Sequence, residues 1–377
     1  MSDASEAEPI RVGFLLDYLS GTQPNWQSYG QPMDLVFRDG LESKLIDRPV
    51  EIVYRGAQGL PKGRVKAVID AFGELVDEGC VAVIGPHISD NTVAVRDEVE
   101  RRFRVPAISV CGSEHWLGEW TFLLNNGSMT DEPILWAHLM AKAGQQTAGV
   151  LVERSYIGQE YFLNFRRAAQ HEGIQIVAEE YIAQTGQDIT AAVVALHRAG
   201  ASAIVHCGFG LGVAEINVAL ESLGWDPPRY MGTAFETGFN AQLWDAYQGW
   251  IGLEQYDEAN PVGQAFLDRY ETEYGDRPEY YGPLLWRDCA TALLNAFADA
   301  TPLSPLGVKD ALERVKMLPA ACGSPGTRIS FGRWMHRGWV GAGYLVARTL
   351  DPDGKELGKF WKSSLVGRYG VDERAIG

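Results

Sequence analysis

The stretch from Val81 to Ser113 limits the possible fold more than any other part of the sequence. It reads VAVIGPHISDNTVAVRDEVERRFRVPAISVCGS and predicts a buried strand at Val81–Ile84, a helix at about Asn91–Phe103 and a short strand at Ala107–Ser109. A crossover helix between two strands is typical of a βαβ unit with parallel strands. Because parallel strands end at the same edge of a sheet, the loops that follow them are expected to form a ligand crevice.

Two serines follow these strands and are expected to face that crevice. Ser113 ends the small-residue loop after the second strand, and Ser89 stands at a predicted helix N-cap. The N–H groups of Asp90–Thr92 behind the cap favour an anionic or carbonyl group of a ligand. Periodicity alone favours a simpler interpretation of Ser89, in which it caps the helix and does nothing more.

Strands and helices alternate along most of the chain. Strands predicted at Ile10–Leu16, Val50–Tyr54 and Thr121–Leu124, with a helix at Lys62–Asp77, complete a first sheet with helices on both faces. A second alternation follows, with strands at Ala148–Val152, Gln175–Tyr181, Ala203–His206 and Arg229–Met231 and helices at Gly158–His171, Ile189–Arg198 and Val213–Leu223. Three helices at about 261–274, 283–300 and 305–317 precede a last strand at Gly343–Thr349. The pattern predicts an α/β protein with two doubly wound parallel-sheet lobes.

Length, charge and cysteine use exclude several classes of protein. A chain of 377 residues suits two domains, and its net charge of −16 repels a phosphate backbone, so we expect no nucleic-acid partner. The opening residues MSDASEAEP lack the features of a signal peptide, and no apolar run could span a membrane. We therefore expect no membrane insertion and a cytoplasmic location as written, or an extracytoplasmic one if the sequence is trimmed from a longer protein. Five scattered cysteines indicate reduced thiols.

No group of residues in the sequence indicates an enzyme. The chain has no phosphate-binding GxxxxGK[ST], no HExxH, no GxSxG and no CxxC. Gly208–Gly212 resembles a dinucleotide-binding loop only loosely, because its third glycine has the wrong spacing and the loop follows a late strand. We therefore predict no catalytic residue, no metal ligand and no cofactor.

Aromatic residues and histidines stand at the loops where a ligand is expected. Five aromatics lie at or just past the ends of predicted strands: Trp26, Trp116, Tyr156, Phe209 and Phe235. Any one of them could be packing, but five that converge from both halves predict a pocket with flat apolar walls. His87 and His115 lie on loops of the first sheet and could bond the ligand as a pair or face solvent. The solvent-facing interpretation is favoured for His87, and both stay open for His115.

Three segments carry a resemblance to a known family. VIGPHISDNTVAV followed by VPAIS resembles the signature of the type I periplasmic-binding-protein superfamily, in its branched-chain-amino-acid and amide-binding branch. ERSYIGQEYFLNFRRAAQHEGIQIV resembles the opening of that family's second lobe, and FLDRYETEYGDRPEYYGPLLWRDCATALLNAF resembles its late helical pair. The resemblance implies a hinge of three crossings, with residues 10–128 and 257–325 in lobe one and residues 129–256 and 326–377 in lobe two.

The resemblance also implies positions for ligand-binding residues. It matches Ser89, the backbone carbonyl of Cys111 and the hydroxyl of Ser113 to ligand-contacting positions, and it places Tyr156 beside the family's aromatic, within one residue of register. The acid that holds the ammonium group of an amino acid falls near Ala234, where no acid stands, and Glu236 would need a two-residue shift.

Together these expectations predict a non-catalytic binding protein that closes on a small organic molecule. With aromatic walls and no acid at that position, the expected ligand is an aromatic or bulky hydrophobic carboxylic acid or amide. The protein is expected to act as the substrate-binding component of an ABC-type transporter, with a permease as its partner. The alternatives are a cytoplasmic sensor of the amide-sensing type, with a regulatory protein as partner, and a branched-chain amino-acid binding protein.

Overall fold

The computed structural model describes residues 8–18, 24–184, 189–233, 244–278, 280–340, 343–351 and 363–368. Its first lobe is built on a five-stranded parallel sheet with the order β2-β1-β3-β4-β5. The elements of this part are β1 (Ile10–Leu16), α1 (Trp26–Glu42), β2 (Val50–Gly56), α2 (Val65–Asp77), β3 (Ala82–Ile84), α3 (Ser89–Glu98), β4 (Ala107–Ser109) and β5 (Thr121–Leu123). The predicted βαβ unit is β3-α3-β4, and the helical turns continue past α3 as a wider π-helical segment, Val99–Phe103.

A second sheet of seven strands forms lobe two, with the order β15-β14-β10-β9-β8-β6-β7. Its elements are α4 (Glu132–Lys142), β6 (Thr147–Glu153), α5 (Tyr156–His171), β7 (Gln175–Ile182), α6 (Ile189–Arg198), β8 (Ala203–Cys207), α7 (Val213–Leu223), β9 (Arg229–Tyr230), β10 (Trp250–Glu254), β14 (Val346–Leu350) and β15 (Ser363–Arg368). Strands β6 to β10 are parallel, while β14 and β15 pair antiparallel at one edge. The predicted fold class, two doubly wound lobes, is confirmed.

The remaining elements return to lobe one. They are α8 (Pro261–Tyr274), α9 (Gly282–Asp299), α10 (Pro305–Leu312) and a small antiparallel sheet of β11 (Leu318–Pro319), β12 (Arg328–Ile329) and β13 (Trp339–Val340). Helix α9 is buried along most of its length and packs against α1. The segment that precedes β13 is bonded to β5 of lobe one. The Leu123 N–H donates to the His336 carbonyl (2.9 Å), and the Gly338 N–H donates to the Leu123 carbonyl (2.8 Å). Residues up to about 338 therefore contact β5 of the first sheet, beyond residue 325 where lobe one is expected to end.

Three neighbouring segments connect the lobes. The first follows β5 through Asn125–Asp131, the second follows β10 at Gln255–Asp257, and the third lies between β13 and β14. They are tied together by backbone bonds, with the Gly323 N–H donating to the Gln255 carbonyl (2.7 Å) and the Ser324 N–H to the Gly343 carbonyl (2.8 Å). Short connecting segments of this kind can act as a hinge, in which a few residues absorb the change in backbone angles.

An aromatic cluster forms the core of lobe one beneath the loop that follows β3. Phe14, at the centre of β1, is fully buried and its ring lies 5.2 to 6.0 Å from the rings of Tyr29, Tyr54, His87 and Trp286. The His87 side chain is only 9% exposed, so the interpretation that it faces solvent is wrong. Burial lowers the pKa of His87 to about 3, and the imidazole is neutral at physiological pH.

Replacing Phe14 with alanine is expected to destabilise the protein strongly. The change removes a ring that four others contact and leaves a cavity, at a cost of about 3–5 kcal/mol in the free energy of unfolding. Leu45→Ala is the matched control, because that side chain is half exposed and should change stability by less than about 0.5 kcal/mol. Urea unfolding followed by circular dichroism measures both. Equal stability of the two variants would contradict the placement of Phe14.

The neutral, buried state of His87 predicts a pH dependence of folding. In the unfolded chain the imidazole binds a proton below its ordinary pKa of 6.5, whereas in the folded chain it does not until about 3. The free energy of unfolding therefore falls as the pH drops below 6.5.

His87→Phe should remove that contribution while keeping the backbone N–H of residue 87. Between about pH 7.5 and about pH 5 the wild type should lose about 1–2 kcal/mol more stability than the variant. Urea unfolding at several pH values measures the difference, and parallel curves for the two proteins would show that His87 has the same pKa in the folded and unfolded chains, against its burial.

Candidate functional site

The strand order of each sheet reverses at one point, and the two reversals face each other. In lobe one the reversal lies between β1 and β3, and in lobe two it lies between β6 and β8. Open α/β sheets bind ligands at the carboxyl ends of the strands beside such a reversal. The loops there carry Asp17 and Ser89 from lobe one and Glu153 and Phe209 from lobe two. The site is therefore a cleft between the lobes.

A buried carboxylate organises the lobe-one side of the cleft. Asp17, directly after β1, accepts hydrogen bonds from the backbone N–H groups of His87 (2.7 Å) and Ile88 (3.1 Å) and from Nδ2 of Asn91 (2.8 Å). It is fully buried, and burial raises its pKa to about 6. The carboxylate thus fixes the loop after β3 and the start of α3.

Ser89 lies at the cleft, but it does not cap the helix as expected. Helix α3 begins at Ser89 itself, so the N-cap position falls on Ile88. The apolar side chain of Ile88 cannot accept a hydrogen bond from the helix. The N–H groups of Asn91 and Thr92 both donate to the Ile88 carbonyl (3.0 and 2.9 Å), so the expectation that they await an anion is wrong. Among the described residues the Ser89 hydroxyl has no hydrogen-bond partner, which leaves it available to a ligand.

Ser113 makes a hydrogen bond across the cleft. It is fully buried, it accepts a bond from the His115 N–H (3.3 Å) at the start of a short 3₁₀ turn, and its hydroxyl donates to Oε2 of Glu160 on α5 (2.7 Å). Burial raises the pKa of Glu160, while the Ser113 hydroxyl and His115 partly oppose that shift. Sequence analysis missed Glu160, although it stands four residues after Tyr156 on the same helical face.

Tyr156 and His115 meet at the same place. Tyr156 is the first residue of α5, and its backbone N–H donates to Oδ1 of Asp90 on lobe one (3.3 Å). Its ring lies edge-on to the exposed imidazole of His115, with 6.2 Å between the centroids. Burial raises the pKa of Tyr156 to about 12, so the phenol keeps its proton. The two lobes are in contact in this structure, and the cleft is closed at this point.

Cys111 is part of the loop that carries Ser113. Its backbone N–H donates to the Ser109 hydroxyl (3.0 Å), and its thiol donates to the Ser113 carbonyl (3.5 Å). Burial raises the pKa of the thiol, so Cys111 is neutral. The expected contact of its backbone carbonyl with a ligand stays a prediction.

Only part of the expected aromatic wall lies at the cleft. Phe209, after β8, faces the ring of Tyr18 from lobe one at 5.8 Å. Trp116 is fully buried in the core of lobe one, where its indole N–H donates to the Phe122 carbonyl (2.9 Å), so its expected role as a cleft wall is wrong.

The other two expected wall residues are Trp26 and Phe235. Trp26 begins α1 and packs against Tyr54 within lobe one at 5.2 Å. Phe235 lies outside the described residues. Among the described residues, Tyr156 and Phe209 lie at the cleft, and the structure adds Tyr18.

Carboxylates give the cleft an acidic character that the sequence did not predict. Glu153 is fully buried at the end of β6 and accepts bonds from the N–H groups of Phe209 (2.8 Å) and Gly210 (3.0 Å). Asp90 has its pKa raised by burial, and Glu153 adds to that shift. With Glu160 these residues bring three carboxylates to the region of the cleft. The position near Ala234 lies outside the described residues.

The described ranges offer no sign of a metal centre or a membrane anchor. Within them no group of three or more His, Cys, Asp or Glu side chains is arranged to hold a metal ion. No helix among them has the length and apolar character needed to cross a bilayer.

Comparisons with solved structures support the fold. A type 1 periplasmic binding protein from Bordetella pertussis is 18% identical, with a TM-score of 0.78 over 95% of this chain and all of that one. LivJ from Streptococcus pneumoniae, solved with isoleucine, is 20% identical, with a TM-score of 0.74 over 95% and 99% of the two chains. A solute-binding protein from R. palustris, solved with benzoate, is 17% identical, with a TM-score of 0.71 over 97% and 98%.

The sequence matches give the family. No curated protein matches the chain. The model of the family described as periplasmic binding protein matches residues 9–343, which is most of the sequence. The prediction of a binding protein rather than an enzyme agrees with that match. The chain therefore belongs to the periplasmic binding protein family and has its type I fold.

Proposed function

We propose that this protein is the substrate-binding component of an ABC-type transporter and closes on a small organic molecule between its lobes. The observation that carries the proposal is the hydrogen bond between Ser113 and Glu160, which joins the loop after β4 in lobe one to helix α5 in lobe two across the cleft. The bond from Tyr156 to Asp90 beside it supports closure at the same point. The partner implied by this role is a membrane permease.

The ligand proposed from the sequence is an aromatic or bulky hydrophobic carboxylic acid or amide. Tyr18, Tyr156 and Phe209 supply the apolar walls for such a body. Of the two head groups the amide fits better. Its N–H groups can donate to Asp90 or Glu160, whereas a carboxylate would add a like charge to a desolvated cleft.

An α-amino acid is the second candidate ligand. It is favoured by the same carboxylates, because a buried ammonium group needs a facing negative charge. The relative from Streptococcus pneumoniae was solved with isoleucine, and the relative from R. palustris was solved with benzoate. Both ligand types are therefore compatible with this fold.

A screen of three compound sets should distinguish these ligand classes. The sets are aromatic acids such as benzoate and phenylacetate, their amides, and the amino acids leucine and phenylalanine. We expect the amides to raise the melting temperature most, because they offer N–H donors without a net charge. Thermal-shift measurements decide the order. Stabilisation by the acids alone would contradict the role given to the cleft carboxylates.

Ser113→Ala is expected to weaken binding of the best ligand from that screen by about 1–3 kcal/mol. The loss follows if the hydroxyl serves a ligand atom in the closed cleft, since its partner is then left unsatisfied. Ser43→Ala, an exposed serine of lobe one, is the control and should bind as the wild type does. Calorimetric titration measures the affinities. An unchanged affinity in Ser113→Ala would remove this residue from the ligand site.

Ligand binding is also expected to change the population of closed molecules in solution. In this structure the lobes already touch through Ser113 and Asp90, so the free protein should sample closed and open forms. A saturating ligand should lower the radius of gyration measured by small-angle X-ray scattering. The same value with and without ligand would contradict closure by hinge rotation.

A further inference from the structure

A groove lies between the lobes, on the outer side of the contact between Ser113 and Glu160. Its volume is about 470 Å³. It is lined by Glu114 and His115 from lobe one, by Thr130 from the first crossing and by Glu160, Leu163, Asn164 and Arg167 from α5. Glu160 therefore belongs both to the contact across the cleft and to the lining of this groove.

One face of α5 forms an ordered wall of the groove. Glu160, Leu163, Asn164 and Arg167 are spaced by three, four and seven residues, which places them on one stripe of a helix. Seven residues rise about 10 Å along the axis. The wall therefore begins with an acid beside Ser113, continues with an apolar side chain, and ends with a base two turns away.

The charges at the two ends of this wall have no Lys, Arg, Asp or Glu counter-ion among the described residues, although His115 acts electrostatically on Glu160. Glu114 on the facing wall is paired with Arg337 (2.6 Å). Glu160 accepts the Ser113 hydroxyl, but no cationic side chain of the described ranges lies within ion-pair distance of it. Arg167 is exposed, and within the same ranges it has no carboxylate partner. An occupant with a cation at one end and an anion at the other would satisfy both.

We propose that the groove is an outer subsite of the ligand cleft and takes an elongated ligand with separated charges. This inference rests on the proposed solute-binding function. The amino or other N–H head group lies at Glu160, the hydrocarbon body runs along Leu163, and a carboxylate at the far end meets Arg167. Arginine suits that end because its planar guanidinium binds a carboxylate through two parallel hydrogen bonds.

Three probes separate the parts of this ligand. In ω-aminocaprylate the two charges are about as far apart as Glu160 and Arg167, at roughly 10 Å. In γ-aminobutyrate they are too close to reach both residues, and n-octylamine has the chain without the carboxylate. Calorimetric titration of the full chain should show that ω-aminocaprylate binds about three- to tenfold more tightly than either of the others.

Arg167→Gln should abolish that preference and leave the affinity for n-octylamine unchanged. Arg166→Gln is the matched control, because Arg166 is also exposed on α5 but lies over the Phe162 ring (5.7 Å) and does not line the groove. It should keep the wild-type preference. Full affinity for ω-aminocaprylate in Arg167→Gln, or equal binding of ω-aminocaprylate and n-octylamine to the wild type, would overturn the inference.

The same titrations distinguish this inference from the proposed function. If the amides, acids or amino acids bind and none of the three probes does, the outer subsite is wrong while solute binding stands. If no compound of either set binds, both are wrong.

Discussion

The whole lobe-one side of the cleft depends on one buried carboxylate, that of Asp17. A charge without solvent must be matched by donors, and Asp17 has two backbone N–H groups and the Asn91 amide. Those donors belong to the loop after β3 and to the first turn of α3, so the carboxylate joins β1 to the neighbouring strand's loop. It thereby fixes the two residues that directly precede α3, and the N–H groups of Asn91 and Thr92 are taken up by the Ile88 carbonyl. The position of Ser89 at the cleft is a consequence of this arrangement.

That arrangement changes the electrostatics that a ligand meets. The N–H groups of Asn91 and Thr92 are bonded to the Ile88 carbonyl, and the carboxylates near the cleft besides Asp17 are those of Asp90, Glu153 and Glu160. A bare anion would enter against them, whereas a group with N–H donors would be matched. The aromatic rings of Tyr18 and Phe209 then supply shape rather than charge. Different residues therefore determine which head group and which apolar part of a ligand the cleft prefers.

The sequence predicted the fold well because the strongest patterns are local. β1 and β4 match their predicted bounds, since apolar runs between polar residues leave little choice.

The site was predicted less well, because its contacts join residues that are far apart in the chain. Trp116 follows a strand, yet its ring turns into the core, and position alone could not show this. Glu160 meets Ser113 across 47 residues, and only the packing of the lobes brings the two together. Tyr18 also lies just past the end of a predicted strand, which is the rule that selected Trp26, but it was not among the predicted wall residues.

The hinge and the ligand site share a network of buried polar groups. Arg337 bonds Glu114, the residue after Ser113, and it also bonds Asp131 of the first crossing and Tyr344 of the third. Its neighbours raise the pKa of the guanidinium, so the charge is always present. Hydrogen bonds to charged groups contribute about 1.5–3 kcal/mol each, so a rotation of α4 away from lobe one must either keep these bonds or replace them. Glu114 follows Ser113 in the chain and bonds Arg337. A shift of the loop that carries Ser113 therefore also affects the crossings. Opening and closing are therefore constrained by the loop that is proposed to contact the ligand.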